Sequence, residues 1–398
     1  MTRRPRPLHP LVILVVLCAP LALLAFTQTA PATGLSATIT VKNTIAVARP
    51  SETIVLDAAA IKKAVTVDDL RKVHVTDPAS GKELVAQAVD LNDDGTFDQV
   101  IFQADLAANA ARVFGLTVGA SQVHTKDQFK AFGRFVRERR DDYAWENDRT
   151  AHRMYGKALE TWAQEPLTSS SVDVWFKRTR KLVINDWYMI DDYHKDHGEG
   201  ADEYSAGKSR GCGGNGIWDG GKLIPSANFV ESRSLANGPV RVMFELTYPV
   251  WVANGKAVSE VKRITLDAGQ NINRFESRYT ISPAGTPEHA AGIKKNADGK
   301  MAVETAKGLL WTWEPVKADG SNFGCAVIAD PSVVKNTTEA DGNYLLVTSL
   351  PASGVVTYYT GAGWDKSGDF PTIDAWKTYV EQAAQRLASP VTVAVVAK

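Results

Sequence analysis

The chain has 398 residues, 45 basic and 45 acidic side chains, no net formal charge and a hydrophobic fraction of 44%. A length of this order divides into two domains, each able to bury its own core. The charge balance excludes a nucleic-acid polymer as the main partner, since phosphate binding needs a basic surface, but it leaves room for an acidic sugar in a local basic pocket.

Residues 1–37 read as an export signal. Arg3, Arg4 and Arg6 precede the apolar run Leu11–Phe26, which Pro20 interrupts, and Ala30-Pro31-Ala32 and Leu35-Ser36-Ala37 are candidate cleavage points. The run is about sixteen residues long, short of the ≈ 20 that a spanning helix needs. The expected location is therefore secreted or periplasmic, with no stable membrane span after cleavage; an uncleaved anchor is the alternative. Only Cys212 and Cys325 then remain, either paired in an oxidising compartment or present as two buried thiols.

Residues 38–120 carry short β-rich runs separated by turn residues, the pattern of a small β-sandwich domain. Within it Asp90, Asn92, Asp94, Gly95 and Asp98 match positions one, three, five, six and nine of an EF-type calcium loop. Ile101 stands where the bidentate glutamate belongs, so a tight turn is the preferred reading and a calcium or other divalent ion the alternative. No cofactor is otherwise expected, and metal ligation by the His194–His197 pair is a further alternative. Residues 121–140 are polar and basic and read as a linker.

Residues 141–398 hold all ten tryptophans. Val172–Phe176 with Lys181–Ile184, and Val240–Tyr248 with Val258–Leu266, read as strand pairs, the second connected through Asn254-Gly255, a hairpin dipeptide. Further strand runs follow, then a helix over Asp374–Leu387 with Trp376, Tyr379, Val380, Ala383 and Leu387 at helical spacing, then a closing strand at Val391–Val396. The expected fold class is mainly β: the small sandwich, then a large antiparallel two-sheet domain with one late helix.

The segment Tyr193–Trp218 has no apolar periodicity and is rich in glycine, as in a long functional loop. It places His194, His197, Glu199, Tyr204 and Arg210 in one stretch. An imidazole next to a carboxylate suits general acid–base work, and the HExxH spacing of a helical metal site is absent. Glu146, Asn147, Arg149 and Arg153 form a second polar group, which reads equally as a set of substrate contacts or a structural ion-pair network. Strand alternation puts Asp173, Trp175 and Lys177 on one face, an acid, an indole and a base suited to a sugar ring. Arg241, Glu245, Glu260, Lys262 and Arg263 read as cross-strand charge pairs.

The segments WENDRTAHRMYG (145–156), VDVWFKR (172–178), YHKDHGEGADEYSAGKSRGCGGNGIW (193–218), LANGPVRVMFEL (235–246) and VSEVKRITLDAG (258–269) together resemble a secreted bacterial family of unknown function. That family recurs in gene clusters degrading uronic-acid polysaccharides such as pectin and ulvan. The later β-rich part also looks like the galactose mutarotase-type supersandwich shared by several polysaccharide lyases. The resemblance implies a large antiparallel β-supersandwich and a uronic-acid-containing glycan substrate, and it supplies no catalytic residues.

The expected activity is cleavage of such a glycan by β-elimination, which needs a cation on the carboxylate, a base and an acid. Arg210 or Arg149 would clamp the carboxylate, His194 or His197 would be the base, and Tyr204, Tyr188 or Tyr193 the acid, with Glu199 beside the base. A mutarotase or epimerase, which would release no fragments, is one alternative, and two more stand beside it. One is a glycoside hydrolase pairing Glu146 with Asp196 or Glu199. The other is a glycan-binding protein with Trp145, Trp175, Trp187 and Trp218 as its platform.

Overall fold

The computed structural model describes residues 36–163, 167–168, 170–285 and 287–398; the export segment lies outside the described residues except for Ser36 and Ala37, and Ala37 opens the first strand. That strand, Ala37–Lys42, buries Ala37, Ile39 and Val41 by simple alternation. It sits in a five-stranded sheet ordered Thr392–Ala397, Ala37–Lys42, Ala111–Val118, Val73–Asp77, Lys82–Leu84. A three-stranded sheet of Arg49–Asp57, Gln99–Leu106 and Ala86–Val89 completes this sandwich, with Ile54, Leu56, Phe102, Phe114 and Leu116 in its core. Its edge strand comes from the far end of the chain, with Ala397 opposite Ala37.

The remaining strands form a large antiparallel sandwich. A nine-stranded sheet contains Arg241–Thr247, Lys256–Asp267, Ile272–Ser282, Val355–Trp364 and Asn322–Ile328 as consecutive neighbours. Opposite it lie two five-stranded sheets, one spanning Ala131–Val136 to Gly200–Ala201 and the other built around Cys212–Asp219, Glu288–Lys294 and Asn343–Ser349. Trp145, Phe176, Phe244, Phe275, Ile293 and Leu346 fill the space between. A disulfide between Cys212 and Cys325, Cα atoms 5.6 Å apart, ties the two layers together.

Local chemistry explains several boundaries. Asn254 and Gly255 both take positive φ, 47° and 78°, as a two-residue hairpin turn requires. Ala131–Val136, inside the expected linker, is a strand paired with Asp142–Asn147. Among the described residues the α-helices are α1 (Ala58–Ala64), α2 (Ile184–Ile190) and α3 (Ile373–Ala388). α3 is capped by the Thr372 hydroxyl and buries Trp376, Val380 and Ala383. The strand expected over Lys181–Ile184 is absent: helix α2 begins there, because Ile184, Trp187 and Tyr188 share a helical face. Cys212–Asp219, expected as loop, is a strand despite its glycines. A Cβ at Gly213 would meet Thr360 Oγ1 at 2.1 Å, so the glycine permits a close backbone approach.

Candidate functional site

Three neighbouring strands, Asp142–Asn147, Ala151–Met154 and Asp173–Lys177, each send alternate residues to opposite faces. Tyr143, Trp145, Met154, Val174 and Phe176 face the sandwich core. The other face carries Asp142, Glu146, Arg153, Asp173, Trp175 and Lys177, all of them buried. The alternation expected for Asp173, Trp175 and Lys177 therefore holds, and it extends to three residues from the neighbouring strands. Helix α2 and the loop after it cover this face. Trp187, Tyr188 and Tyr193 lie 5.5, 5.0 and 5.2 Å from the Trp175 ring.

The charges on this face are spent on one another. Lys177 Nζ donates to Glu146 Oε2 at 2.6 Å and to the Asn147 carbonyl at 2.7 Å. Glu146 Oε1 accepts from the Val183 and Ile184 amides at 2.7 and 2.8 Å, fixing the start of α2. Arg153 sits among three aspartates, with Asp173 at 2.7 Å, Asp202 at 3.1 Å and Asp142 at 3.5 Å. Tyr155 also donates to Asp173 at 3.0 Å. Burial alone would lower the Arg153 pKa, but Asp202 and Asp173 outweigh it and hold the guanidinium well above its usual value. This is the geometry of paired buried charges, so Glu146, Arg153, Asp173 and Lys177 are brought together, and of the four Lys177 alone borders a gap, of about 10 Å³.

The loop separates the residues expected to act together. His194 is exposed, and its Nδ1 bonds the Asp202 carbonyl at 2.9 Å. His197 is half exposed, with Nε2 at 2.9 Å from Asp192 Oδ2. Asp196 pairs with Arg178 and caps the Gly198 and Gly200 amides, and Glu199 pairs with Lys181 at 3.0 Å. Tyr204 is buried in the sandwich core edge-on to Phe323. Its position corrects its assignment as an acid beside either histidine, because the chain turns inward at Ala201–Asp202. Arg210 is buried too, donating to Ser170 Oγ at 3.2 Å and the Lys208 carbonyl at 3.3 Å. Burial pushes its pKa down to about 10. As placed, it does not clamp a ligand at the loop.

The other expected contacts are also accounted for. Asn147 is saturated by the Asp267 and Gln270 carbonyls and the Arg149 and Thr150 amides. Arg149 pairs with Asp369 at 2.6 Å. Tyr188 is buried under α2, and Trp218 packs with Leu223 and Leu345 in a separate cluster. Trp145 and Trp175 are fully buried, which removes them from any exposed aromatic platform. Asp90 spends both oxygens on the Asn92, Asp93 and Gly95 amides, the pattern of a tight turn. Glu245 and Arg263 pair across strands at 2.6 Å as expected. Glu260 and Lys262, by contrast, point into the sandwich, 3.6 Å apart, and burial pushes Lys262 down.

A small pocket of about 50 Å³ opens between α2 and the loop. Trp187 and Tyr193 wall it, His197 and Glu199 line it, and Asp186, Asp192 and Lys195 complete the polar lining. Burial pushes the Tyr193 hydroxyl up, against the pull of Arg153 and Arg139, so it keeps its proton at neutral pH. Sequence reading missed Asp192 and Lys195. The carboxylate density of Asp191–Asp196 was the available signal, and it could not say which acid would reach His197.

The chain belongs to the family described as a domain of unknown function (DUF4861), whose model matches residues 41–393. An uncharacterized protein, P7, of Formosa agariphila is 33% identical over 372 residues, covering 90% of this chain and 93% of that one. A protein of glycosyl hydrolase family 38 from Enterococcus faecalis shares the fold at a TM-score of 0.50 and 10% identity, over 91% of this chain and 47% of that one. An alpha-mannosidase from Enterococcus faecalis V583 matches at a TM-score of 0.46 and 10% identity, over 91% and 46%. The chain thus spans about half the length of these solved structures. Among the described residues no helix is long and apolar enough to cross a membrane.

Proposed function

We propose that the protein is an exported carbohydrate-active enzyme that cleaves uronic-acid-containing oligosaccharides by β-elimination at the pocket between α2 and the loop. The observation that carries this reading is the His197–Asp192 pair, 2.9 Å apart, in the same pocket as Tyr193, Lys195 and Trp187. With Nε2 donating to Asp192, the imidazole presents Nδ1 as an acceptor. His197 takes the proton α to the sugar carboxylate while Lys195 neutralises that carboxylate. The bond from the β-carbon to the glycosidic oxygen breaks, and Tyr193 protonates the leaving oxygen, so the product carries a carbon–carbon double bond. Trp187 offers an indole for the apolar face of the ring. A glycan-binding role without catalysis is the second reading, favoured by the half-exposed His197.

Incubation with a panel of uronate oligosaccharides, following near-ultraviolet absorbance together with reducing ends, tests both readings. Absorbance that rises with new reducing ends is the expected outcome. Reducing ends without absorbance would mean hydrolysis, and saturable binding without either product would leave the binding reading alone. His197→Ala is expected to lower kcat by roughly 10²- to 10⁴-fold without moving the unfolding midpoint; full turnover in that variant removes the assignment.

A further inference from the structure

A second cleft lies far along the chain from the loop, where the small sandwich, the outer face of the nine-stranded sheet and α3 meet. Its volume is about 260 Å³. Arg49 and Glu52 come from the small sandwich, Arg241, Arg274 and Tyr359 from the large sheet, and Arg386 from the last turn of α3. Clefts where separate sheets and helices meet are common ligand sites.

The charge on its walls is unbalanced. Four guanidinium groups face the carboxyls of Glu52 and Asp267, an excess of two positive charges. Asp267 is engaged bidentately by Arg241 at 2.6 and 2.8 Å. Arg49 is spent on Asn43, Glu52 and the carbonyls of Arg386 and Ser389, which fastens the end of α3 to the small sandwich and makes the wall rigid. Arg274 shares Glu276 with Arg278, so one carboxylate serves two cations. Arg386 lies over the Tyr379 ring at 5.6 Å and has no carboxylate within ion-pair distance among the described residues. Burial also pushes the Glu52 carboxyl up despite Arg49 and Arg386, which weakens the counter-charge. Ile272, Leu387 and Tyr359 give the same cleft an apolar side.

We propose that this arginine-lined cleft is a second binding site, for a small oxyanion-bearing ligand held by Arg386 and Arg274 against the Tyr359 side. Arg is the side chain suited to such a partner, because its planar fork donates two parallel hydrogen bonds to one carboxylate, sulfate or phosphate. The cleft shares no residue with the α2 pocket, so the proposal stands apart from the catalytic reading.

The test is calorimetric titration of the full mature protein with a uronate disaccharide, inorganic phosphate and inorganic sulfate, each against sodium chloride at equal ionic strength. At least one probe is expected to bind saturably, and the probe that does so identifies the source of the oxyanion. Arg386→Ala and Arg274→Ala should each weaken that binding roughly tenfold to hundredfold, while the exposed charge control Lys222→Ala leaves it unchanged. Far-ultraviolet circular dichroism of each variant confirms that the sandwich is intact. No probe binding better than chloride overturns the proposal. So does binding that both arginine variants retain, and in that case the α2 pocket would remain a candidate for the same ligand.

Discussion

The sealed face and the pocket beside it share a wall, since Trp187 and Tyr193 pack on Trp175 from one side and line the pocket from the other. They use charge in opposite ways. On the sealed face Arg153, Lys177 and their carboxylates are out of water and bonded at 2.6 to 3.5 Å. In the pocket His197 and Asp192 are each about half exposed, though only 2.9 Å apart. A buried pair resists loss of either partner, because the survivor is left uncompensated in a low dielectric; an exposed pair contributes little to folding. The same polar residue types thus build a rigid floor in one place and leave groups available for chemistry in the other.

The comparison breaks most directly at Arg153. Arg153→Met leaves Asp142, Asp173 and Asp202 crowded together without their shared cation. The expected loss is about 3–5 kcal/mol of unfolding free energy, read from urea denaturation at neutral pH. An unchanged midpoint would mean that water reaches these carboxylates and that the face is not sealed.

Glu314 sharpens the same contrast, because it is buried with no cation within ion-pair distance among the described residues. Burial pushes its pKa up to about 7, with Asn296 and Lys294 pulling the other way. Below pH 4.5 folded and unfolded chains both hold the proton. Between 4.5 and 7 the unfolded chain releases a proton that the folded chain keeps, so stability falls as pH rises through this window. Glu314→Gln should remove this dependence, adding about 3 kcal/mol at pH 8 and almost nothing at pH 4. Equal gains at both pH values would rule out ionisation as the cause.

Much of the fold was legible because it depends on period and turn chemistry. Asn254-Gly255, the α3 spacing and the Asp173–Lys177 alternation each follow from local geometry. What the sequence hid is tertiary. Lys181–Ile184 carries too few residues to separate a strand from the first turn of a helix, and the Glu146 carboxylate that fixes that turn lies far back in the chain. The glycines of 211–216 read as loop glycines, and the close packing that holds them instead comes mostly from distant residues, Val172, Ser170, Thr360 and Pro225. Of the residues expected to act together, the loop places His197 and Glu199 beside one pocket, and nothing local shows that Tyr204 and Arg210 turn inward. The cleft joining Arg49 to Arg386 unites the two ends of the chain, which no local pattern reports.

The smallest expected effect lies at the pocket rim. Lys181 reaches Glu199 at 3.0 Å with most of its side chain in water, so Lys181→Ala should leave the unfolding midpoint where it is. It should still change the field that an anionic substrate meets, since Glu199 lines the pocket and loses its partner. KM for a uronate oligosaccharide should rise about two- to threefold at low salt, with kcat constant, and the difference should vanish as ionic strength shortens the Debye length to about 3 Å near 1 M. A salt-independent change in KM would mean that Lys181 touches the substrate itself, and a change in kcat would place Glu199 in the proton transfers rather than at their edge.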